Sequence, residues 1–227
     1  MATKELFAGR VEIIYSALSD GNMRFFEGDE QEIFKNQSRL IAQIGAEPTK
    51  TARVKTTYEN RKNFTEYLKL DVTNVEQSNI THSEKDLPLA DGIATQDTEL
   101  GILLPLADCL GIVFYDQTTG TAALLHSGRH NLEEDGAYKF ISFLQKNFGC
   151  KPEDLQIWFS PHALKYQIFK LDNKTMSEAA IEQLTRAGVN PSNIKTSAID
   201  TVSSPDLPSN SSGDTKTRFA IGIRLAG

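Results

Sequence analysis

The sequence predicts an α+β fold, a single-domain layered sandwich with mixed sheets that extends over residues 1–227. Three observations support this prediction. Strand-like and helix-like segments follow one another without the strict βαβ alternation of a doubly wound parallel sheet. Three amphipathic segments each end at a glycine, namely Gly45, Gly149 and Gly188. The chain contains no internal repeat and no long low-complexity linker that would divide it.

The N-terminal part of the chain predicts a hairpin, a helix and a less regular segment. Residues 9–26 hold two apolar, β-prone runs on either side of residues 19–22 (Ser-Asp-Gly-Asn), whose residue types favour a hairpin turn. Residues 29–44 place apolar side chains at helical spacing after acidic residues, which predicts a surface helix. Residues 51–81 are largely polar, and they predict one or two strands with an exposed excursion.

The rest of the chain predicts further strands and helices. Apolar runs predict strands at residues 102–115, 121–126, 155–159, 166–171, 194–199 and 218–225. Helical periodicity predicts helices at residues 133–148 and 175–187. Between the last two strands, residues 203–214 collect serine, proline, asparagine and glycine, which favours a mobile surface loop.

The composition is typical of a soluble globular protein, and it narrows the expected partners. The chain has 24 basic and 30 acidic residues and a net charge of −6. This balance disfavours a broad electrostatic surface for nucleic acid or anionic membranes, so neither is an expected partner. Two cysteines are too few for a disulfide scaffold, and no segment has the pattern of a signal peptide or a membrane span. We therefore expect a cytoplasmic monomer or homodimer.

Cys109 and His126 are the residues best suited to carry chemistry. They lie in two predicted strands, and a hairpin centred on Gln117 and Thr118 places them directly opposite each other on one face of the sheet. A thiolate and an imidazole in this position could bind one zinc ion, or act as nucleophile and base. The alternative is structural, with Cys109 as a small buried hydrophobe and His126 as a histidine whose hydrogen bonds are satisfied.

Three motifs around this pair resemble those of the bacterial YfiH family, also called laccase-domain, multicopper polyphenol oxidase or peptidoglycan-editing-factor proteins. The motifs are Ala90-Asp91-Gly92-Ile93-Ala94-Thr95, Leu106-Ala107-Asp108-Cys109 and Leu125-His126-Ser127-Gly128. The resemblance implies one α/β/β/α domain that holds a zinc ion on one cysteine and two histidines. It also implies phosphorolysis of purine nucleosides and deamination of adenosine, besides laccase-type oxidation and cell-wall editing. The implied ligands are therefore a small purine nucleoside, phosphate and zinc.

The resemblance also implies roles for individual residues. Cys109 and His126 match zinc ligands of the family. The first zinc histidine of the family lies in a Gln-Val-His-Gly motif that this chain lacks, and the candidate replacement is His82, although a histidine in a loop is more often only solvated. Asp91 matches the acid of the family motif, and it is a candidate general base for a proton from water or a ribose hydroxyl.

Three further candidates lie after His126. The tryptophan and arginine positions of the family motif are occupied here by Arg129 and His130, which are candidates for holding phosphate or a developing anion. His130 is also a catalytic candidate. His162, which follows a Ser-Pro pair, is a candidate metal ligand or substrate contact. Each of these residues also fits a structural role, because solvated turns before helices contain the same residue types.

The sequence leaves three functions open. The first is a zinc-dependent purine nucleoside phosphorylase or adenosine deaminase. The second is a cysteine hydrolase or amidase with Cys109 as the nucleophile and His126 as the base. The third is a non-catalytic binding protein, because the Gln-Val-His-Gly motif and the Trp-Arg positions are lost. A copper cluster is disfavoured, because the four histidines of the chain are too few for the imidazoles that it needs.

Overall fold

The computed structural model describes residues 6–25, 29–56, 65–71 and 87–227. These residues form twelve strands, which are β1 (Val11–Tyr15), β2 (Thr51–Arg53), β3 (Tyr67–Lys69), β4 (Gly92–Thr95), β5 (Gly101–Leu106), β6 (Leu110–Asp116), β7 (Thr121–Ser127), β8 (Gln156–Phe159), β9 (Gln167–Ile168), β10 (Lys174–Thr175), β11 (Ile194–Thr196) and β12 (Phe219–Leu225). They also form four α-helices, which are α1 (Glu30–Ala42), α2 (Arg129–Glu133), α3 (Gly136–Phe148) and α4 (Met176–Arg186). Within the described ranges, no helix is both long enough and apolar enough to cross a membrane.

Ten of the described strands build two mixed sheets. One sheet has four strands in the order β1-β12-β5-β2, and the other has six strands in the order β11-β8-β6-β7-β4-β3. Each sheet contains both kinds of pairing: β2 is parallel to β5 and β3 is parallel to β4, whereas β1 is antiparallel to β12 and β6 is antiparallel to β7. The predicted α+β fold class with mixed sheets is confirmed.

The two sheets pack face to face, and helices cover their outer faces. The core between the sheets joins Ile13 and Ile223 of the four-stranded sheet to Val113 of the six-stranded sheet. Leu40 and Ile41 of α1 pack on the other face of the four-stranded sheet, while α3 and α4 pack on the other face of the six-stranded sheet. Burial of each such aliphatic side chain contributes about 1.5–3 kcal/mol. The layers therefore form the α/β/β/α sandwich that the resemblance implies.

The predicted helices are present, and their ends are set by capping residues. α1 begins after Asp29, whose carboxylate accepts a hydrogen bond from a backbone N–H of the first turn. α4 begins after Thr175, which forms a capping box with Glu178. The helix predicted for residues 133–148 is present as α3, and the short helix α2, which the sequence did not predict, precedes it. They are separate because Asp135 between them adopts the left-handed backbone conformation, with φ 60°.

The predicted N-terminal hairpin is wrong. β1 is followed by a short 3-10 turn (Leu18–Asp20), and β1 pairs with the C-terminal strand β12. The described residues after this turn, 21–25, form no strand, and the N–H of Met23 donates instead to the carbonyl of Arg218 at 3.1 Å. Gly21, at φ 87°, lies so close to α1 that a Cβ atom would be 2.4 Å from Nδ2 of Asn36. Close packing on α1 therefore requires this glycine.

The single strand predicted for residues 102–115 is also wrong, because it divides into β5 and β6, which belong to different sheets. The chain turns at Asp108, which adopts φ 66°. Aspartate is one of the few residues besides glycine that enter this left-handed region at low cost. The turn carries the chain from one sheet to the other. Cys109 therefore lies at a corner between the sheets and not in the middle of a strand.

Candidate active site

Asp108 fixes the corner between β5 and β6. Its carboxylate accepts hydrogen bonds from the hydroxyl of Thr201 at 2.8 Å and from the backbone N–H of Ser211 at 2.7 Å. Both partners belong to the segment between β11 and β12. This segment includes residues 203–214, which the sequence predicts to be a mobile surface loop. The hydrogen bonds hold the loop against the corner that carries Cys109.

An Asp108→Asn variant is expected to lower the free energy of unfolding by about 1–3 kcal/mol, because its amide group leaves one of the two donors without an acceptor. Asparagine tolerates the left-handed backbone, so the loss reports hydrogen bonding and not backbone strain. Urea unfolding, followed through the fluorescence of Trp158, measures the change. Asp206→Asn, at an exposed carboxylate of the same loop, is the control. If the two variants have the same free energy of unfolding, Asp108 does not hold the loop.

Asp91, which immediately precedes β4, holds His126 at the end of β7. The backbone N–H of His126 donates to the carbonyl of Asp91 at 2.7 Å, and Nδ1 of the ring lies 3.1 Å from Oδ1 of the carboxylate. Oδ2 accepts a hydrogen bond from Nδ2 of Asn131 at 3.0 Å. Asp91 is only 1% exposed and does not line the cavity described below. The structure thus places the carboxylate behind His126, where it orients the ring, and the expected role of Asp91 as a general base stays a prediction.

The side chains of Cys109 and His126 meet in front of Gly128. A Cβ atom added to Gly128 would lie 3.0 Å from the sulfur of Cys109 and 3.2 Å from Nε2 of His126. Burial lowers the pKa of His126, but hydrogen bonds to Asp91 and to Cys109 outweigh burial and raise this pKa to about 10. The structure therefore contains a continuous chain of contacts from thiol to imidazole to carboxylate.

The predicted register of the β6–β7 hairpin is wrong by two residues. His126 faces Gly111, and Cys109 lies just before β6. The connecting loop consists of the four residues 117–120, whereas the predicted register requires a loop of two. Because side chains in a strand alternate with a period of two, a shift of two residues leaves Cys109 on the same side as His126. The two side chains meet although they are not directly opposed.

Cys109 and His126 line a cavity of about 400 Å³. This volume lies within the range of small-molecule sites. Arg24, Arg129 and Arg218 line the same cavity, so it carries three cationic side chains in a protein whose net charge is −6. The arrangement suits a ligand or co-substrate with a negative charge next to the thiol and the imidazole.

His130 does not line this cavity, in contrast to the sequence-based expectation. Its ring accepts a hydrogen bond from the guanidinium of Arg129 at 3.0 Å and lies 3.8 Å from the carboxylate of Glu133 in the same helix. Burial and the charge of Arg129 lower the pKa of His130. Of the two residues expected to hold phosphate, the structure places Arg129 at the cavity and His130 beside it.

His162 is buried away from the cavity. Its Nδ1 contacts the carbonyl of Ser160 at 2.7 Å, and its Nε2 contacts the hydroxyl of Ser177. Burial lowers the pKa of His162, which favours the neutral ring. Both ring nitrogens of His162 are therefore engaged within the protein, and its expected role as a metal ligand or substrate contact stays a prediction. His82 lies outside the described residues, and within the described part of the chain no three His, Cys, Asp or Glu side chains form a metal-binding group.

Two cavity residues, Arg24 and Arg218, are not marked by any motif in the sequence. Each is a single basic residue beside an apolar run, and this is the only local signal that either one offers. Asn210 and Ser211 also line the cavity. The composition of their segment indicates a loop, but it does not indicate that the loop reaches the corner between β5 and β6.

Comparison with known proteins identifies relatives of both the sequence and the fold. The model of a family described as multi-copper polyphenol oxidoreductase laccase matches residues 8–180. The fold is similar to that of the hypothetical protein YfiH from Bacillus licheniformis, with a TM-score of 0.85, 14% identity and 99% of each chain covered. It is also similar to YlmD from Geobacillus stearothermophilus, with a TM-score of 0.81, 16% identity, and 96% of this chain and 92% of that chain covered. A third similar structure is that of a Neisseria meningitidis protein of family DUF152. Its TM-score is 0.75 and its identity 14%, and the match covers 96% of this chain and 95% of that chain. No curated protein matches the chain.

Proposed function

We propose, from the premise that this chain belongs to the multi-copper polyphenol oxidoreductase laccase family, that it is a zinc-dependent enzyme acting on purine nucleosides. The reaction is cleavage of the glycosidic bond by phosphate or deamination of adenosine, at the cavity that Cys109 and His126 line. One observation supports this proposal most. The imidazole of His126 contacts a thiol, while its Nδ1 lies 3.1 Å from the buried carboxylate of Asp91. Carboxylates orient histidine ligands in the same way in zinc sites.

The donor atoms fit zinc better than they fit a copper cluster. Thiolate and imidazole are common zinc ligands, and the contact of Nδ1 with Asp91 leaves Nε2 of His126 to face Cys109. A multicopper cluster needs several imidazoles, and His126 is the only histidine among the described residues that lines the cavity. Cys109 and His126 would hold the zinc ion, and His82 is proposed as the third ligand. Bound zinc supplies polarisation of a water molecule or a substrate oxygen.

The other cavity residues suit phosphorolysis. In this reaction a phosphate oxygen forms a bond to C1′ of the ribose while the bond from C1′ to the purine nitrogen breaks, and the purine takes up the proton that the phosphate loses. The three arginines give the cavity positive charge, which suits an anionic co-substrate such as phosphate. Tyr166 and Met176 give the cavity an apolar wall that suits a purine ring. Deamination needs no anionic co-substrate, so the arginines favour phosphorolysis.

Removal of the metal is expected to lower nucleoside turnover more than about 100-fold, because zinc would supply the polarisation step. The experiment compares chelated protein with protein reloaded with zinc, using inosine and adenosine with and without phosphate. Chromatography measures the released base, and a coupled assay measures ammonia. Base release that requires zinc and phosphate supports phosphorolysis, and ammonia release from adenosine supports deamination. Full turnover by the chelated protein would contradict the proposal, and a wild type with neither zinc nor turnover would favour a non-catalytic binding protein.

A cysteine hydrolase or amidase is the second candidate. The contacts from Cys109 to His126 to Asp91 follow the order nucleophile, base and orienting acid. In such a reaction the thiol passes its proton to His126 while the sulfur bonds to the acyl carbon. The carbon–nitrogen bond then breaks, the leaving amine takes the proton from His126, and water releases the acyl group as an acid. Alkylation of Cys109 in metal-free protein would abolish this activity, whereas chelation would leave it intact. The two treatments therefore separate the two candidates.

A further inference from the structure

Two arginines from distant parts of the chain are held side by side at the cavity by one asparagine. Oδ1 of Asn22 accepts hydrogen bonds from the backbone N–H of Arg24 at 3.1 Å and from the backbone N–H of Arg218 at 3.0 Å. Nδ2 of Asn22 donates to the carbonyl of Arg24 at 3.0 Å. Both arginines line the cavity that contains Cys109 and His126. The single side chain of Asn22 thus fixes the two backbones relative to each other.

The segment that carries Asn22 is itself fixed to helix α1. Nδ2 of Asn36 donates to the carbonyl of Asn22 at 3.2 Å, and Nε2 of Gln37 donates to the carbonyl of Met23 at 2.6 Å. The segment also pairs with the start of β12 through the hydrogen bond from Met23 to Arg218. The backbones that carry the two arginines are therefore positioned before any ligand binds, which lowers the entropy cost of binding.

The charges around the two arginines favour an anion. Burial and the adjacent charge of Arg24 lower the pKa of Arg218, whereas Cys109, Asp214 and Asp108 act in the opposite direction, so the fold keeps the two positive charges close together next to partly compensating groups. Nη1 of Arg218 donates to the carbonyls of Thr215 and Thr217, which orients the guanidinium. The carboxylate of Asp108 also lines the cavity, but both of its oxygens already accept hydrogen bonds. Guanidinium groups bind phosphate oxygens in bidentate geometry, and two of them can bind one tetrahedral anion.

We propose that Arg24 and Arg218 form the subsite that binds inorganic phosphate, the co-substrate of the reaction proposed above. The identity of the anion rests on that proposed function, whereas the subsite itself rests on the shared cavity and on Asn22. The subsite replaces the sequence-based assignment to Arg129 and His130, because His130 does not line the cavity. Arg129 remains a third cation that lines the same cavity.

The direct test is phosphate binding without turnover. Titration calorimetry at constant ionic strength compares the affinity of wild type, Arg24→Gln and Arg218→Gln for inorganic phosphate. Each cavity variant is expected to bind phosphate about 10- to 100-fold more weakly, because each loses charge-assisted hydrogen bonds to the anion. Arg186→Gln, at a half-exposed arginine of α4 outside the cavity, is the matched control and is expected to bind phosphate like wild type.

Steady-state kinetics then separates the subsite from the proposed function. The KM for phosphate is expected to rise about 10- to 100-fold in both cavity variants, while the KM for the nucleoside changes little. If wild type binds phosphate through both arginines but turns over no nucleoside, the subsite stands and the proposed function fails. If wild type cleaves nucleosides and both variants keep its phosphate affinity and KM, the subsite is overturned and the function stands.

Folding of the variants is checked by thermal unfolding, because Arg218 also contacts the backbone of residues 215–217. If Arg218→Gln does not fold, Arg24→Gln decides the test alone. Arg24→Lys keeps the charge but loses the planar fork, and it is expected to recover part of the phosphate affinity. Unchanged affinity in a folded Arg24→Gln, or no phosphate binding by wild type, overturns the proposal.

Discussion

Cys109→Ala is expected to lower purine nucleoside turnover more than about 100-fold and to reduce the zinc content well below that of wild type. Loss of a residue that only orients a metal ligand already costs about 10- to 100-fold in affinity or activity, so loss of a ligand costs more. Cys109 is half-buried at a corner, so its side chain contributes little to the core. Metal analysis by mass spectrometry and the nucleoside assay measure the two effects on the same preparations.

Three further variants test whether the effect of Cys109→Ala arises from loss of a zinc ligand. Cys150→Ser changes the other cysteine, which is buried next to Thr119, and it should keep wild-type zinc and turnover. Cys109→His keeps a possible zinc ligand but removes the nucleophile, so retained zinc and activity would argue for the metal and against the cysteine hydrolase. His82→Ala should lower the zinc content if His82 is the third ligand. Wild-type zinc and turnover in Cys109→Ala would remove this residue from the site.

Local sequence patterns predict the helices α1, α3 and α4 and the shared face of Cys109 and His126, but they do not predict the short helix α2. The capping residues Asp29 and Thr175 define helix starts because they satisfy backbone N–H groups at short range. The hairpin register could not be derived, because it depends on whether the connecting loop has two or four residues. The predicted register is off by two residues. Because side chains alternate between the faces of a strand with a period of two, this error still leaves Cys109 and His126 on the same face. An error of one would have placed the two side chains on opposite faces.

The rest of the site depends on contacts between distant segments. Asn22 joins Arg24 to Arg218, and Asp108 joins its corner to Ser211. Neither contact leaves a periodic pattern, because each involves single polar side chains that bind backbone groups far along the chain. The corner itself does leave a signal in the sequence. Asp108 interrupts the apolar run three residues after Pro105, and both residue types disfavour one uninterrupted central strand, although Pro105 itself lies within β5.

Asp91→Ala is expected to lower the free energy of unfolding of the metal-free protein by about 3–5 kcal/mol, because it removes one partner of a buried ion pair. The carboxylate lies 3.1 Å from Nδ1 of His126 and accepts a hydrogen bond from Asn131, which is itself buried. Without it, His126 loses the contact that raises its pKa most, and the amide of Asn131 loses its acceptor. Urea unfolding in the presence of a chelator measures the loss without any contribution from metal.

Asp91→Asn separates the charge of this residue from its shape. The asparagine oxygen can accept from His126, but its NH₂ group then faces the NH₂ group of Asn131, so a loss of about 1–3 kcal/mol is expected. Asp206→Ala, at an exposed carboxylate, should unfold like wild type. The stability order wild type, Asp91→Asn, Asp91→Ala would show that the buried carboxylate holds the imidazole in place. Equal stability of all three would mean that His126 is oriented by its backbone alone, and the zinc proposal would lose the contact on which it depends.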